Sequence, residues 1–260
     1  MLTGYNPVMR NLLFWGLFPL LLPQALYVRK TAPRFGAASG PDRGSVGSGR
    51  SLRLIAIGDS IIAGVGAGTL DSALVGQTAK SLAHELDRRI EWQAIGKVGL
   101  NSAKVLDQLV PRLPRESADF IIVSVGVNDI TSLTTVPAWR RNLNALLGSL
   151  VEHSPGATIA LAGIPPLHGF PLLPEPLRAV TGLRGRSFDS AGQRVVRQFA
   201  SVVHVPVDFD PDPARFAADG YHPSPESYRE FGATMSESLL AGKPVSMSGS
   251  RRETRHPDRD

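Results

Sequence analysis

Phe120-Ile121-Ile122-Val123-Ser124-Val125-Gly126-Val127-Asn128-Asp129 is the stretch whose reading decides the fold. Residues 120–125 form a near-continuous apolar run, the pattern of a strand covered on both faces rather than one. Such a strand belongs to a parallel sheet sandwiched between helices. The flanking sequence agrees. Residues 53–57 read as a strand ending at Gly58, and residues 72–89 show helical spacing through Leu74, Val75, Leu82 and Leu86. Residues 92–95 are a weaker strand. Ser102 is placed to cap a helix carrying Val105, Leu106 and Leu109, which Pro111 and Pro114 stop. Beyond residue 129 the pattern gives a helix over 137–152, a strand over 158–162 and a Pro-rich loop over 163–176. A helix over 187–199 and a strand over 203–207 follow, and the last helix opens at Ser224-Pro225. Strands separated by helices imply right-handed crossovers and a three-layer α/β/α domain with a parallel sheet of about five strands.

The chain has 260 residues, with Lys+Arg 28 against Asp+Glu 23, a net charge of +5 and a pI near 9.9. That excess lies at the ends. Residues 1–50 hold 6 basic and 1 acidic side chains, residues 243–260 hold 5 and 3, and residues 51–242 hold 17 and 19. The body is therefore slightly acidic, and no nucleic-acid face is supported. Its length suits one domain with one well-filled core. With Cys 0 in the sequence, disulfide scaffolds, thiolate metal sites and cysteine nucleophiles are excluded.

From residue 12 to residue 28 the only polar side chain is Gln24, and Pro19 and Pro23 interrupt the run. At about 1.5 Å per residue it spans roughly 25 Å, the lower limit for crossing a bilayer. An uncleaved anchor, spanning or lying in the interface, is the expectation for residues 1–35. A cleaved signal peptide and a buried core helix are the alternatives. Arg29, Lys30 and Arg34 follow at once, where a cleavage site would need small residues. They outnumber Arg10 plus the amino terminus by one charge, which favours a cytoplasmic body, whereas export would place it on the other side. Residues 36–50 read as a flexible Gly/Ser/Ala tether, residues 51–242 as the folded domain and residues 243–260 as a disordered tail.

In parallel α/β sheets ligands bind past the carboxyl ends of strands. Four polar clusters sit there: Gly58-Asp59-Ser60, Gly99-Leu100-Asn101, Gly126-Val127-Asn128-Asp129, and Asp219-Gly220-Tyr221-His222 in the loop after the fifth strand. A serine hydroxyl attacks only when a base takes its proton, and histidine suits that task near neutral pH. Of the six histidines only His222 has an acid three residues before it in a loop. Alone, that pair reads as a surface Asp–His contact; beside Ser60 it reads as catalytic. Gly99, lacking Cβ, would let its N–H approach an oxyanion, and Asn128 offers an amide. Singly, these two only make a turn and close a loop.

Together, in order and spacing over residues 53–242, the four clusters resemble the blocks of the SGNH (GDSL-type) hydrolases. The resemblance implies a flavodoxin-like fold and a serine esterase, lipase, thioesterase or lysophospholipase acting on acyl or aryl esters. Carried over by position, Ser60 is the nucleophile, His222 the base and Asp219 its orienting acid. The Ser60 N–H, the Gly99 N–H and the Asn128 side chain are the oxyanion donors. Asp59 and Asp129 are expected to shape loops. The run Ile61-Ile62-Ala63-Gly64-Val65-Gly66 is more apolar than in many relatives, which bears on substrate rather than on the triad. The amino-terminal segment also looks like that of membrane-associated bacterial members.

No cofactor or metal is called for. The run Gly64-Val65-Gly66-Ala67-Gly68 lacks the third glycine of a dinucleotide loop, because position 69 is Thr. Residues 208–219 lack the turn glycine and final Glu of a calcium loop. The expected partners are a small-molecule acyl ester and, through residues 12–28, a membrane; no oligomeric state follows. Acyl transfer, a carbohydrate esterase and a silent binding domain on the same fold are the alternatives.

Overall fold

Residues 6–208 and 212–242 are described by the computed structural model. The apolar run sits at the heart of a six-stranded sheet ordered β1-β3-β2-β4-β5-β6. Its strands are β1 (Arg43–Val46), β2 (Ser51–Gly58), β3 (Arg89–Gly96), β4 (Phe120–Ser124), β5 (Thr158–Ala162) and β6 (Val202–Val205). All pairs are parallel except β1 with β3. The helices are α1 (Pro7–Thr31), α2 (Leu74–Leu86), α3 (Ser102–Gln108), α4 (Val127–Thr131), α5 (Val136–His153), α6 (Leu177–Val196) and α7 (Pro225–Ala241).

Strand alternation builds two cores. Ile55, Ile57, Ile121, Val123, Ile159 and Leu161 face α3, α5 and α6, where Val105, Trp139, Leu143, Leu150 and Phe188 meet them. The residues between, Leu54, Ala56, Phe120, Ile122 and Ala160, face α2 and α7, against Leu74, Leu82, Tyr228, Met235 and Leu239. Each such buried aliphatic or aromatic side chain contributes about 1.5–3 kcal/mol. This two-sided burial explains why the central strands carry no polar face. After β2 the chain builds β3 on one side, then crosses to place β4 on the other. Strand order thus reverses between β2 and β4, the switch point where α/β sheets open a crevice.

The segment expected as a tether contains β1. Residues 43–46 pair antiparallel with β3, from Arg43 opposite Gln93 to Val46 opposite Ile90. Gly44, read as linker composition, lies against the Trp92 indole: a Cβ there would come within 2.5 Å of the ring. The edge strand covers β3, so the sheet has one strand more than the sequence led us to expect.

The apolar amino-terminal segment is α1, long and apolar enough to cross a membrane between Met9 and Thr31. One side of it docks on α6. Phe14 is buried, and the Arg184 guanidinium lies 4.2 Å from its ring centroid and 5.0 Å from those of Trp15 and Phe188. The same guanidinium donates to the Thr134 carbonyl. Gln24, the lone polar residue of the run, donates through Nε2 to the Glu175 carbonyl and accepts the Leu177 N–H at Oε1. It thereby caps the start of α6, which has no side-chain cap of its own. Leu12, Leu17, Leu20, Leu22 and Leu26 point outward and are exposed.

Candidate active site

Ser60 follows β2 in a tight turn. Asp59 fixes it: its N–H donates to the Ser124 carbonyl at the end of β4, while its Oδ1 accepts the Ile61 N–H and the Ser124 hydroxyl, both at 3.1 Å. His222 lies in the loop before α7. That helix is capped by Ser224 and starts with Pro225, so the imidazole is held close to a rigid helix start. Tyr228 of α7 donates its hydroxyl to the Val65 carbonyl at 2.7 Å, tying this helix to the segment after Ser60.

These elements bring Ser60, His222 and Asp219 into line. His222 Nε2 is 3.0 Å from Ser60 Oγ, and His222 Nδ1 is 2.6 Å from Asp219 Oδ2. Asp219 is buried, and its other oxygen accepts the N–H groups of Tyr221 and His222 at 2.9 and 3.0 Å. With both oxygens committed the carboxylate cannot rotate away from the ring. The arrangement can draw the Ser60 proton toward His222 while Asp219 holds the tautomer that leaves Nε2 free to accept it.

Asn128 is on α4 and lines the same cavity as Ser60 and His222. One Nδ2 hydrogen goes to the Leu100 carbonyl at 3.1 Å, leaving the second for a ligand. Gly99, in the loop after β3, has φ +79°, a conformation glycine adopts without cost. Its N–H and that of Ser60 have no acceptor among the described residues. Asp129 locks the two loops together by accepting the Ser102 N–H at 2.8 Å and the Ser102 hydroxyl at 2.6 Å. Ser102 therefore does not cap α3 as expected; Asn101 does, accepting the Lys104 N–H. Both acids beside the working residues shape loops.

The cavity over Ser60 holds about 200 Å³. Phe170, Phe216 and Tyr221 meet edge to face along one wall, with Pro165, Val207 and Phe231 opposite or beside them. Gly163, Pro165 and Phe170 show that the Pro-rich loop borders it. Arg215 and Glu230, ion-paired at 2.6 Å, add a polar part. No local pattern marks Ser124, Phe216, Val207 or Phe231 as site residues; they join the cavity only through folding. His204 makes a second imidazole–carboxylate contact, 2.9 Å from Asp189, with no serine bonded to the ring among the described residues.

Burial pushes the Asp59 carboxyl up to about 7, against the hydrogen bonds from Ile61 and Ser124 that pull it down. Unfolded, it would titrate near 3.9. Between about pH 4 and pH 7 the folded chain thus keeps a proton the unfolded chain has lost, so this group makes stability fall as pH rises, levelling above 7. Asp59→Asn, neutral throughout, is expected to remove that fall. Urea midpoints across the window measure it, and an unchanged slope would show that Asp59 is not its source.

The GDSL-like Lipase/Acylhydrolase family matches residues 56–230. A GDSL-like esterase of Mycobacterium tuberculosis is 28% identical over 188 residues, covering 68% of this chain and 58% of that protein's length. Among solved structures, a family 3 carbohydrate esterase of Clostridium thermocellum superposes with a TM-score of 0.58 at 17% identity, covering 74% of this chain and 96% of the other. A lipase/acylhydrolase of Enterococcus faecalis gives 0.57 at 18%, covering 73% and 96%. The two structural likenesses show the α/β/α fold. The family match runs from β2 through the Ser60 turn to the His222 loop and into α7, and with it the chain takes its place in the GDSL-like lipase/acylhydrolase family of hydrolases.

Proposed function

We propose that the chain is a serine ester hydrolase working through an acyl-enzyme on Ser60. The observation that carries this is the continuous hydrogen-bond chain from Ser60 through His222 to Asp219 at an apolar cavity. His222 takes the Ser60 proton as Oγ attacks the ester carbonyl. The N–H groups of Ser60 and Gly99 and the spare Asn128 amide hydrogen stabilise the oxyanion. His222 then protonates the leaving alcohol, and water repeats the sequence to free the acid.

The substrate is an acyl or aryl ester whose apolar part lies along Phe170, Phe216 and Val207. Carbohydrate esterases share the fold, but this wall favours hydrocarbon over a sugar. Residues 12–28, through the exposed leucines of α1, hold the enzyme at a membrane. Hydrolysis of p-nitrophenyl esters from acetyl to palmitoyl by the full chain in a nonionic detergent tests the reading. The expected profile rises beyond acetyl, whereas a flat or acetyl-peaked profile would refute the apolar assignment.

A further inference from the structure

A second cleft lies on the far side of Pro165 and Val207, which line both it and the cavity over Ser60. Helix α1 forms one wall. It runs antiparallel to α6, with Gln24 at Leu177, Phe14 at Arg184, and Arg10 on the same cleft as Arg186. Two arginines from distant parts of the chain therefore converge. The Nε groups of both are buried without a hydrogen-bond partner, and neither makes a salt bridge among the described residues.

The carboxylate nearest them is hydrogen-bonded elsewhere. Asp189 lines the cleft, but its Oδ1 accepts from the Ile164 N–H and contacts His204, and its Oδ2 accepts from Gln193. His168, carried in by the turn after β5, is held below the usual imidazole value by burial and by the charge of Arg186, with Asp208 pulling the other way. Burial first and Arg10 second likewise pull Arg186 down. Two like charges that are partly desolvated and have no ion-pair partner among the described residues cost free energy that a bound anion would offset.

We propose that Arg10, Arg186 and the adjoining cleft bind a phosphate group, with the amino-terminal helix as part of the site. Two guanidinium forks match the tetrahedral oxygens of phosphate better than a single carboxylate. The Ser190 hydroxyl, on the same cleft, adds a donor. The phosphate comes either from a lipid headgroup, next to the exposed leucines of α1, or from a free soluble phosphate. The inference does not depend on the esterase chemistry.

The full chain in a nonionic detergent is titrated with inorganic phosphate against chloride at equal ionic strength, with heat of binding and melting temperature as readouts. In a second arm it is sedimented with phosphatidylcholine vesicles with and without phosphatidylglycerol. Saturable phosphate binding is expected, weakened about tenfold or more by Arg10→Gln and by Arg186→Gln. A preference for phosphatidylglycerol vesicles that both variants abolish assigns the phosphate to lipid. A preference that both leave unchanged, with phosphate binding lost, assigns it to a free ligand. Absence of saturable binding in both arms, or binding that survives both variants, overturns the proposal. Should a Gln variant not fold, Arg186→Lys keeps the charge, loses the fork and is expected to weaken phosphate severalfold; unchanged affinity overturns the proposal. Hydrolysis of a short-chain ester by each variant is read in parallel, so that loss of the anion site and loss of the hydrolase are told apart.

Discussion

Ser60→Ala is expected to lower ester turnover by about 10⁴–10⁶-fold while leaving the melting temperature within a few degrees of the parent. The hydroxyl contacts His222 Nε2 at 3.0 Å and, among the described residues lining the cavity, is the one group aligned with an imidazole and its carboxylate. Removing one oxygen leaves the turn intact, because Asp59 and the Val65 N–H hold the Ser60 backbone. What persists is the rate that oxyanion donors and substrate binding supply to water alone. Steady-state kinetics on a p-nitrophenyl ester make the measurement. Turnover within tenfold of the parent would remove Ser60 from the role of nucleophile.

His222→Ala is expected to cost a comparable factor, and the double variant with Ser60→Ala to cost little more than either alone. Groups that act as one unit fail together, so their effects do not add. Among the described residues the imidazole is the one basic group hydrogen-bonded to Ser60, and the buried Asp219 contacts its other ring nitrogen. If the double variant multiplied the two single losses, the serine and the histidine would be working in separate steps and the relay would be wrong. Loss of the imidazole also leaves the Asp219 carboxylate buried with only two backbone N–H partners, so a modest drop in stability accompanies the kinetic effect.

Both Ser60 and His222 were legible because strand ends can be read from local pattern. The run at 120–125 needs nothing beyond its neighbours to become a central strand, and once the strands are placed, the polar residues just past them form the candidate site. Asp219 and Asn128 follow the same logic. The start of α6 was not legible. Its first ten residues space Leu177, Val180 and Leu183 as a helix would, but Gly182 and Gly185 interrupt them and no local side chain caps the start, since the cap is Gln24, 153 residues away. β1 was hidden in Gly/Ser composition, and its glycine makes sense only beside Trp92. Ser102 looked like a cap because serine before an apolar run usually is one; the Asp129 that claims its hydroxyl is close only in the folded chain. Short α4 is below the length at which periodicity carries information.

The bond between Gln24 and the start of α6 also orders events in time. A ribosome adds about 5–20 residues per second, so the apolar segment is complete roughly seven to thirty seconds before the helix it will cap. During that interval its leucines and aromatics have no protein surface to cover them. Any apolar surface able to bind an exposed helix would therefore meet this segment before α6 does. Seating of Phe14 on Arg184 is a late event, possible only once α6 has been made.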